Sequence, residues 1–192
     1  MKKGLLVAIV ALAVPAQAAA QGTTTEIGVG DDFFNPENVS SNIGESSYHW
    51  RWGLPTSTNE HNVVHDDELF SSGALSLSGD FTIAPSAGTF GYYCELHGSP
   101  GGLGMAGEIR VKPTGTVSGR KASLVWGTPE TDTGTRFDVR QKVGKKKPKV
   151  VEENTRADEG DLRLKPGKNQ FQVRSRQGKA ASDWSPKLNL KG

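Results

Sequence analysis

Residues 91–109 read GYYCELHGSPGGLGMAGEI and contain Cys94, the only cysteine among 192 residues, with His97 three positions on and Met105 eight positions beyond that. A thiolate donates strongly to a soft cation, an imidazole binds most late transition metals, and a thioether is a weak neutral ligand. These three stand on one strand and the segment that follows it, so a fourth donor has to come from elsewhere in the chain. His61, in TNEHNVV, is the natural candidate. Cys with two His in a plane and a distant axial Met is a copper ligand set. Zinc prefers more thiolates or carboxylates and gains little from a methionine. Taken singly, a cysteine after two tyrosines also reads as a core thiol, Cys-x-x-His is a weak pattern and a loop methionine is usually only that. His49 and His65 read as surface residues, with opportunistic metal binding open to His65 in HDDEL.

The compartment bears on why the thiol is unpaired. The chain opens with two lysines, an apolar run over residues 4–14, Pro15 and two overlapping small-x-small sites, Ala16-Gln17-Ala18 and Ala18-Ala19-Ala20. That layout predicts a secretory signal peptide over residues 1–20, and the run is too short to span a bilayer. No cysteine sits near the cleavage sites, which closes the lipoprotein route. The expected location is the periplasm, the cell surface or the extracellular space. Exported proteins use cysteines in pairs as crosslinks, so a lone one leaves a metal, a core thiol or an intermolecular bridge.

The elements that must hold these residues are short and extended. SYHWRWG (47–53) alternates Tyr48, Trp50 and Trp52 with His49 and Arg51, as a half-buried strand does. TTEIGVG (24–30) reads as an edge strand, and DDFFNPE (31–37) as a turn-rich connection broken by Pro36. Further strands are expected at 62–64, 79–83, 89–94 and 107–111, with residues 98–104 as a loop. Many short strands with turn signals between them predict two packed sheets.

Charge divides the chain. Residues 21–112 hold twelve Asp/Glu against three Lys/Arg, a net of −9, and residues 113–192 hold nine against eighteen, a net of +9. A shift summed over so many positions marks a domain boundary near residues 112–116. All four histidines, Cys94 and Met105 fall on the acidic side, and so does any metal chemistry.

The stretch GYYCELHGSPGGLGMAGEIRV resembles the copper loop of the plastocyanin-like cupredoxins: an aromatic-rich strand ending in Cys, then x-x-His, a Gly-rich turn, Met-x-Gly and a last strand. WRWGLPTSTNEHNVV is similar to the segment of that family that supplies the first histidine, followed by Asn and Val. The resemblance covers about half the chain. It implies a Greek-key sandwich over residues 21–112, one type 1 copper ion, His61, Cys94, His97 and Met105 as its ligands, and Asn62 bracing the two ligand segments. Seven residues separate His97 from Met105, where typical plastocyanins have about four, and this puts the axial bond and the potential in question.

Residues 113–192 offer strands at 122–126, 135–143, 149–152, 161–164, 170–176 and 187–190. That number and rhythm fit an immunoglobulin-like sandwich. SLVWGTP, RFDVRQK, LKPGKNQFQVRSR and SDWSP resemble fibronectin type III domains, which would make Trp126 the core tryptophan. Phe171 stands where that family often has a tyrosine, with one residue inserted before it. The run Lys145-Lys146-Lys147-Pro148-Lys149 reads as a solvated hairpin loop, or as a contact for an anionic cell-surface polymer or for the acidic neighbour.

The expectation is therefore an all-β, exported protein: a cupredoxin domain passing one electron at a time to transient redox partners, then a spacer or docking domain. Copper enzymes need further ligands in His-x-His or His-Cys-His clusters, and the chain has neither, so no catalytic residue is expected. The basic residues lack interleaved exposed aromatics, which argues against nucleic acid. No segment after the leader is apolar enough to span a membrane. Copper storage or delivery, and adhesion led by the second domain, are the alternatives. The neutral, almost side-chain-free segment 98–104 is expected to let a redox partner approach His97 closely, and Asp66, Asp67 and Glu68 to steer a basic one.

Overall fold

The computed structural model describes residues 22–53 and 58–192. The segment read as a signal peptide lies outside the described residues. Among those described there are sixteen strands and no helix. Four sheets make two sandwiches.

The first sandwich uses β1 (Thr23–Gly30), β2 (Phe33–Asn35), β3 (Asn38–Asn42), β4 (Ser46–Trp52), β5 (Val64–His65), β6 (Asp80–Ile83), β7 (Gly88–Ser99) and β8 (Leu103–Lys112). One sheet runs β2-β1-β4-β6 and the other β3-β8-β7-β5. Each contains one parallel pair, β1 with β4 and β3 with β8; the other pairings are antiparallel. The period of two explains the core. On β4, Tyr48 and Trp50 point inward, and on β7, Phe90, Tyr92 and Cys94 do so, each at most 3% exposed. Trp50 stacks edge-on with Tyr92 at 5.0 Å and tilts against Phe81 at 5.6 Å. Such fully buried large side chains contribute about 1.5–3 kcal/mol each. Gly107 of β8 lies in the same layer, and a Cβ there would come within 2.5 Å of the Tyr92 hydroxyl.

Several details differ from expectation. β1 is not an edge strand: β2 and β4 flank it. Residues 33–35, expected in a connection, form that covering strand, because Phe34 buries its ring against Tyr92 at 5.0 Å. The expected loop 98–104 is the end of a hairpin. Gly98 pairs with Gly104 and Ser99 with Leu103, leaving only residues 100–102 to turn the chain. Gly101 and Gly102 turn it at φ of 84° and 81°, where glycine carries no steric penalty.

The second sandwich contains β9 (Thr114–Ser118), β10 (Lys121–Val125), β11 (Arg136–Val143), β12 (Lys149–Thr155), β13 (Glu159–Arg163), β14 (Lys168–Gln177), β15 (Ala180–Ala181) and β16 (Leu188–Lys191). A sheet β13-β10-β9 packs on a sheet in which β11 and β14 are central, with β12, β15 and β16 beside them. Trp126 is buried in this core against Phe137 and donates its Nε1–H to the Ala157 carbonyl at 2.5 Å. Phe171 is fully buried. Two guanidinium groups lie over the Trp184 ring, Arg140 at 4.2 Å and Arg174 at 4.9 Å from its centre. Arg174 and Arg176 both reach the buried Asp138.

The sandwiches are joined at the start of β7. Ala87 donates its N–H to the Trp126 carbonyl at 2.7 Å and packs into the second core. Ser86 and Ser175 hydroxyls meet at 2.6 Å, and Thr89 Oγ1 donates to the Trp184 carbonyl at 3.2 Å.

Candidate metal centre

The pairing of β7 with β8 is interrupted at one place. It runs in register to Tyr93↔Ala106 and resumes at Gly98↔Gly104, so residues 94–97 on one strand stand opposite Met105 alone on the other. A bulge of this kind bends a strand and re-aims its side chains. Here it gathers Cys94, His97 and Met105 at one end of the sandwich. Gly104, at φ 69°, closes the bulge, and any Cβ there would run into the His97 carbonyl.

His61 arrives from the other direction. It forms a bridge with Ser76 by main-chain bonds of 2.9 and 3.0 Å, and its carbonyl accepts the Trp52 indole N–H at 3.2 Å. Asn62 then ties this segment to β7. Its Oδ1 accepts the Glu95 N–H at 3.0 Å, and its Nδ2 donates to Glu95 Oε2 at 2.6 Å and to the Gly73 carbonyl at 3.1 Å. This matches the bracing role that the resemblance implies for Asn62.

The result is a triangle of donor atoms. Cys94 Sγ lies 3.7 Å from His61 Nδ1 and 3.6 Å from His97 Nδ1, and the two Nδ1 atoms are 3.1 Å apart. The point equidistant from all three is about 2.0 Å from each, the length of a metal–imidazole bond, and a position slightly out of the plane of the three atoms lengthens the distance to sulfur toward the about 2.3 Å of a metal–thiolate bond. His61 and Cys94 are fully buried, while the His97 side chain keeps 20% of its surface exposed. The donor set therefore fits a soft or borderline cation, and one sulfur with two nitrogens suits copper. Met105 is buried in the same core cluster as Cys94.

The outer face of each imidazole meets a carboxylate. His61 Nε2 is 3.5 Å from Asp31 Oδ1, and His97 Nε2 is 3.6 Å from Asp32 Oδ1. These two aspartates carry no local signal, since a DD pair before a strand reads as a turn.

The other histidines lie apart from the triangle. His49, on β4, keeps 24% of its side chain exposed and meets Glu26 at 2.9 Å. His65 is not a surface residue: it is 2% exposed, with Phe70 and Phe90 at ring distances of 5.2 and 5.9 Å. Its Nδ1 accepts the backbone N–H groups of Asp67 and Leu69, so the turn that follows folds back over the ring. Burial lowers its pKa against the opposing pull of Asp66, Asp67 and Asp183. Asp66 is also engaged, accepting the Gly101 N–H at 3.0 Å and so fastening the hairpin tip.

No family model matches the sequence, and no curated protein matches it either. Among solved structures, the chicken CNTN1 FN1-FN3 domains align at 11% identity and TM-score 0.35, covering 70% of this chain and 56% of that one. Two fibronectin type III domains of chicken tenascin align at 18% identity and TM-score 0.35, covering 69% and 83%. A DUF3823 family protein from Bacteroides ovatus aligns at 7% identity and TM-score 0.32, covering 76% and 97%. The chain thus spans little more than half the length of the first of these. At such scores the likenesses carry no argument about this chain's activity. Among the described residues no helix is long and apolar enough to cross a membrane.

Proposed function

We propose that the first sandwich is an electron carrier of the cupredoxin type, in which His61, Cys94 and His97, with Met105 beside them in the core, would hold one copper ion. The observation that carries this is the buried triangle of one sulfur and two Nδ1 atoms at edges of 3.1–3.7 Å. Bound there, copper supplies a one-electron Cu(I)/Cu(II) couple. The chain's own residues do the rest. Asn62 cross-links the two ligand segments, so the donors keep their spacing in either oxidation state. Cys94 and His61 are shielded from water, and the partly exposed His97 gives the site an edge toward the surface. Leu96 and Leu103, on the same hairpin, are 56% and 65% exposed and offer a transient redox partner a contact with little polar surface to desolvate. No reaction chemistry is assigned to the site, and the proposed setting is outside the cytoplasm.

The test is the visible spectrum of the purified protein after addition of Cu(II), beside Cys94→Ala. An intense blue band that needs Cys94, bleaches on mild reduction and returns on oxidation is the expected result. A colourless protein, or weak copper binding indifferent to Cys94→Ala, overturns the proposal. Loss of copper on reduction points instead to storage or delivery.

A specific observation favours a second role for the basic sandwich. A cleft of about 480 Å³ has Val143, Val151 and Pro166 in its lining and Lys146, Lys147, Lys149 and Lys165 around it. Among the described residues none of these lysines has a carboxylate at ion-pair distance. Four uncompensated cations beside apolar surface suit an anionic polymer such as a cell-surface polysaccharide. Retention on immobilised heparin, lost at moderate salt and in Lys147→Glu/Lys165→Glu, is the expected outcome. Equal retention of the variant removes this role.

A further inference from the structure

The site described above uses one nitrogen of each histidine, and the other nitrogen of each is also met. His61 Nε2 faces Asp31 at 3.5 Å and His97 Nε2 faces Asp32 at 3.6 Å. The two carboxylates are consecutive, on the turn between β1 and β2, whereas the two histidines are 36 positions apart. One turn therefore caps both rings.

That turn is held in place. Asp31 accepts the Thr58 N–H at 2.7 Å, the Thr58 hydroxyl at 2.5 Å and the Asn59 N–H at 2.9 Å. Asp32 sits at φ 64°, a left-handed conformation that glycine adopts more readily. A carboxyl side chain occupies it nonetheless, aimed at His97.

The tautomer of an imidazole is set by the hydrogen bond its second nitrogen makes. Metal-binding histidines commonly donate that second N–H to a carboxylate, which fixes the ring and raises its basicity. In the triangle both Nδ1 atoms must present lone pairs toward the same point as Cys94 Sγ. A carboxylate facing each Nε2, at hydrogen-bond distance from His61 and just beyond it from His97, favours this before any ion binds.

We propose that Asp31 and Asp32 are positioning residues, Asp31 accepting the Nε2–H of His61 at 3.5 Å and Asp32 attracting that of His97 electrostatically from 3.6 Å, that turn both Nδ1 lone pairs toward Cys94 and by their charge favour the oxidised ion. The last part rests on the copper reading above; the tautomer part does not. Asp31 faces the fully buried His61 at the shorter distance, while Asp32 faces the exposed edge of the site and, with its side chain 66% exposed, acts through solvent-screened charge.

Two measurements on the full-length chain decide it. In the copper-loaded protein, Asp32→Asn and Asp31→Asn should each shift the redox equilibrium at least tenfold toward the reduced form, about 59 mV for a one-electron couple. Glu153→Gln, on exposed β12 of the second sandwich, makes the same change of net charge and should shift it less than twofold. In the metal-free wild type, imidazole nitrogen–proton correlations should show the Nε2–H tautomer on both rings, and Asp32→Asn should lose it on His97. If Asp32→Asn moves the equilibrium no further than Glu153→Gln while the wild type is blue, the inference falls and the copper reading stands. If the wild type takes no copper, the copper reading falls and the tautomer decides: Nε2–H on both rings upholds the caps, and Nδ1–H on His97 overturns them.

Discussion

Thr89 and Asp183 exchange main-chain hydrogen bonds, Thr89 N–H to the Asp183 carbonyl at 3.1 Å and Asp183 N–H to the Thr89 carbonyl at 2.9 Å. Thr89 is the second residue of β7, the strand that carries Cys94 and His97. Asp183 belongs to the segment that presents Trp184 to Arg140 and Arg174. The two sandwiches are therefore stitched together along the strand that holds the donor triangle.

Asp183→Pro removes one of these bonds and leaves the Thr89 carbonyl unmatched, a loss of about 1–3 kcal/mol. Calorimetry should show one unfolding transition in the wild type and two in the variant, with the blue band kept. A single unshifted transition would mean that the stitch contributes nothing to coupling.

Asn62→Ala deletes two hydrogen bonds between the two ligand segments and a third to the Gly73 carbonyl. Loss of such support around a metal ligand costs about 10–100-fold in affinity. Competition with a chelator of known strength reads the change, and unchanged affinity would remove Asn62 from the site's framework.

Met105→Leu keeps the core filled and should cost less than about 1.5 kcal/mol in stability. If Met105 is the axial donor, the blue band survives and the redox equilibrium moves toward the reduced form. An unaltered potential and spectrum would strike Met105 from the ligand set.

His65 sets a pH dependence. Burial holds its pKa below the ordinary value near 6.5, so the unfolded chain takes up a proton before the folded one. Its contribution is complete above that ordinary value and is lost as pH falls toward and through the lowered one. Denaturation midpoints at pH 7.5 and 5.5 should therefore separate in the wild type and converge in His65→Gln. Equal separation in both would assign the dependence to other groups.

Much of the strand pattern was legible, because the alternation in SYHWRWG and the aromatic run before Cys94 bury one face of each strand. The gathering of His61, Cys94 and His97 was legible too, from their residue types and spacing. What escaped has physical causes. β3, NVSSN, has no apolar alternation, and only its parallel partner β8 makes it a strand. His65 looks exposed among acidic neighbours, but it pairs opposite Tyr92 and its ring is closed over by the turn it accepts from. Asp31 and Asp32 carry no local signal, since what matters is which rings the fold brings to them.

The register that returns at Gly98↔Gly104 isolates the hairpin tip from the donors. Spacing between His97 and Met105 is fixed below that pair, so the chain length above it is free to vary. The tip is a visor set above that pair, tethered to the sandwich body through the Gly101 N–H on Asp66 and not through the donors.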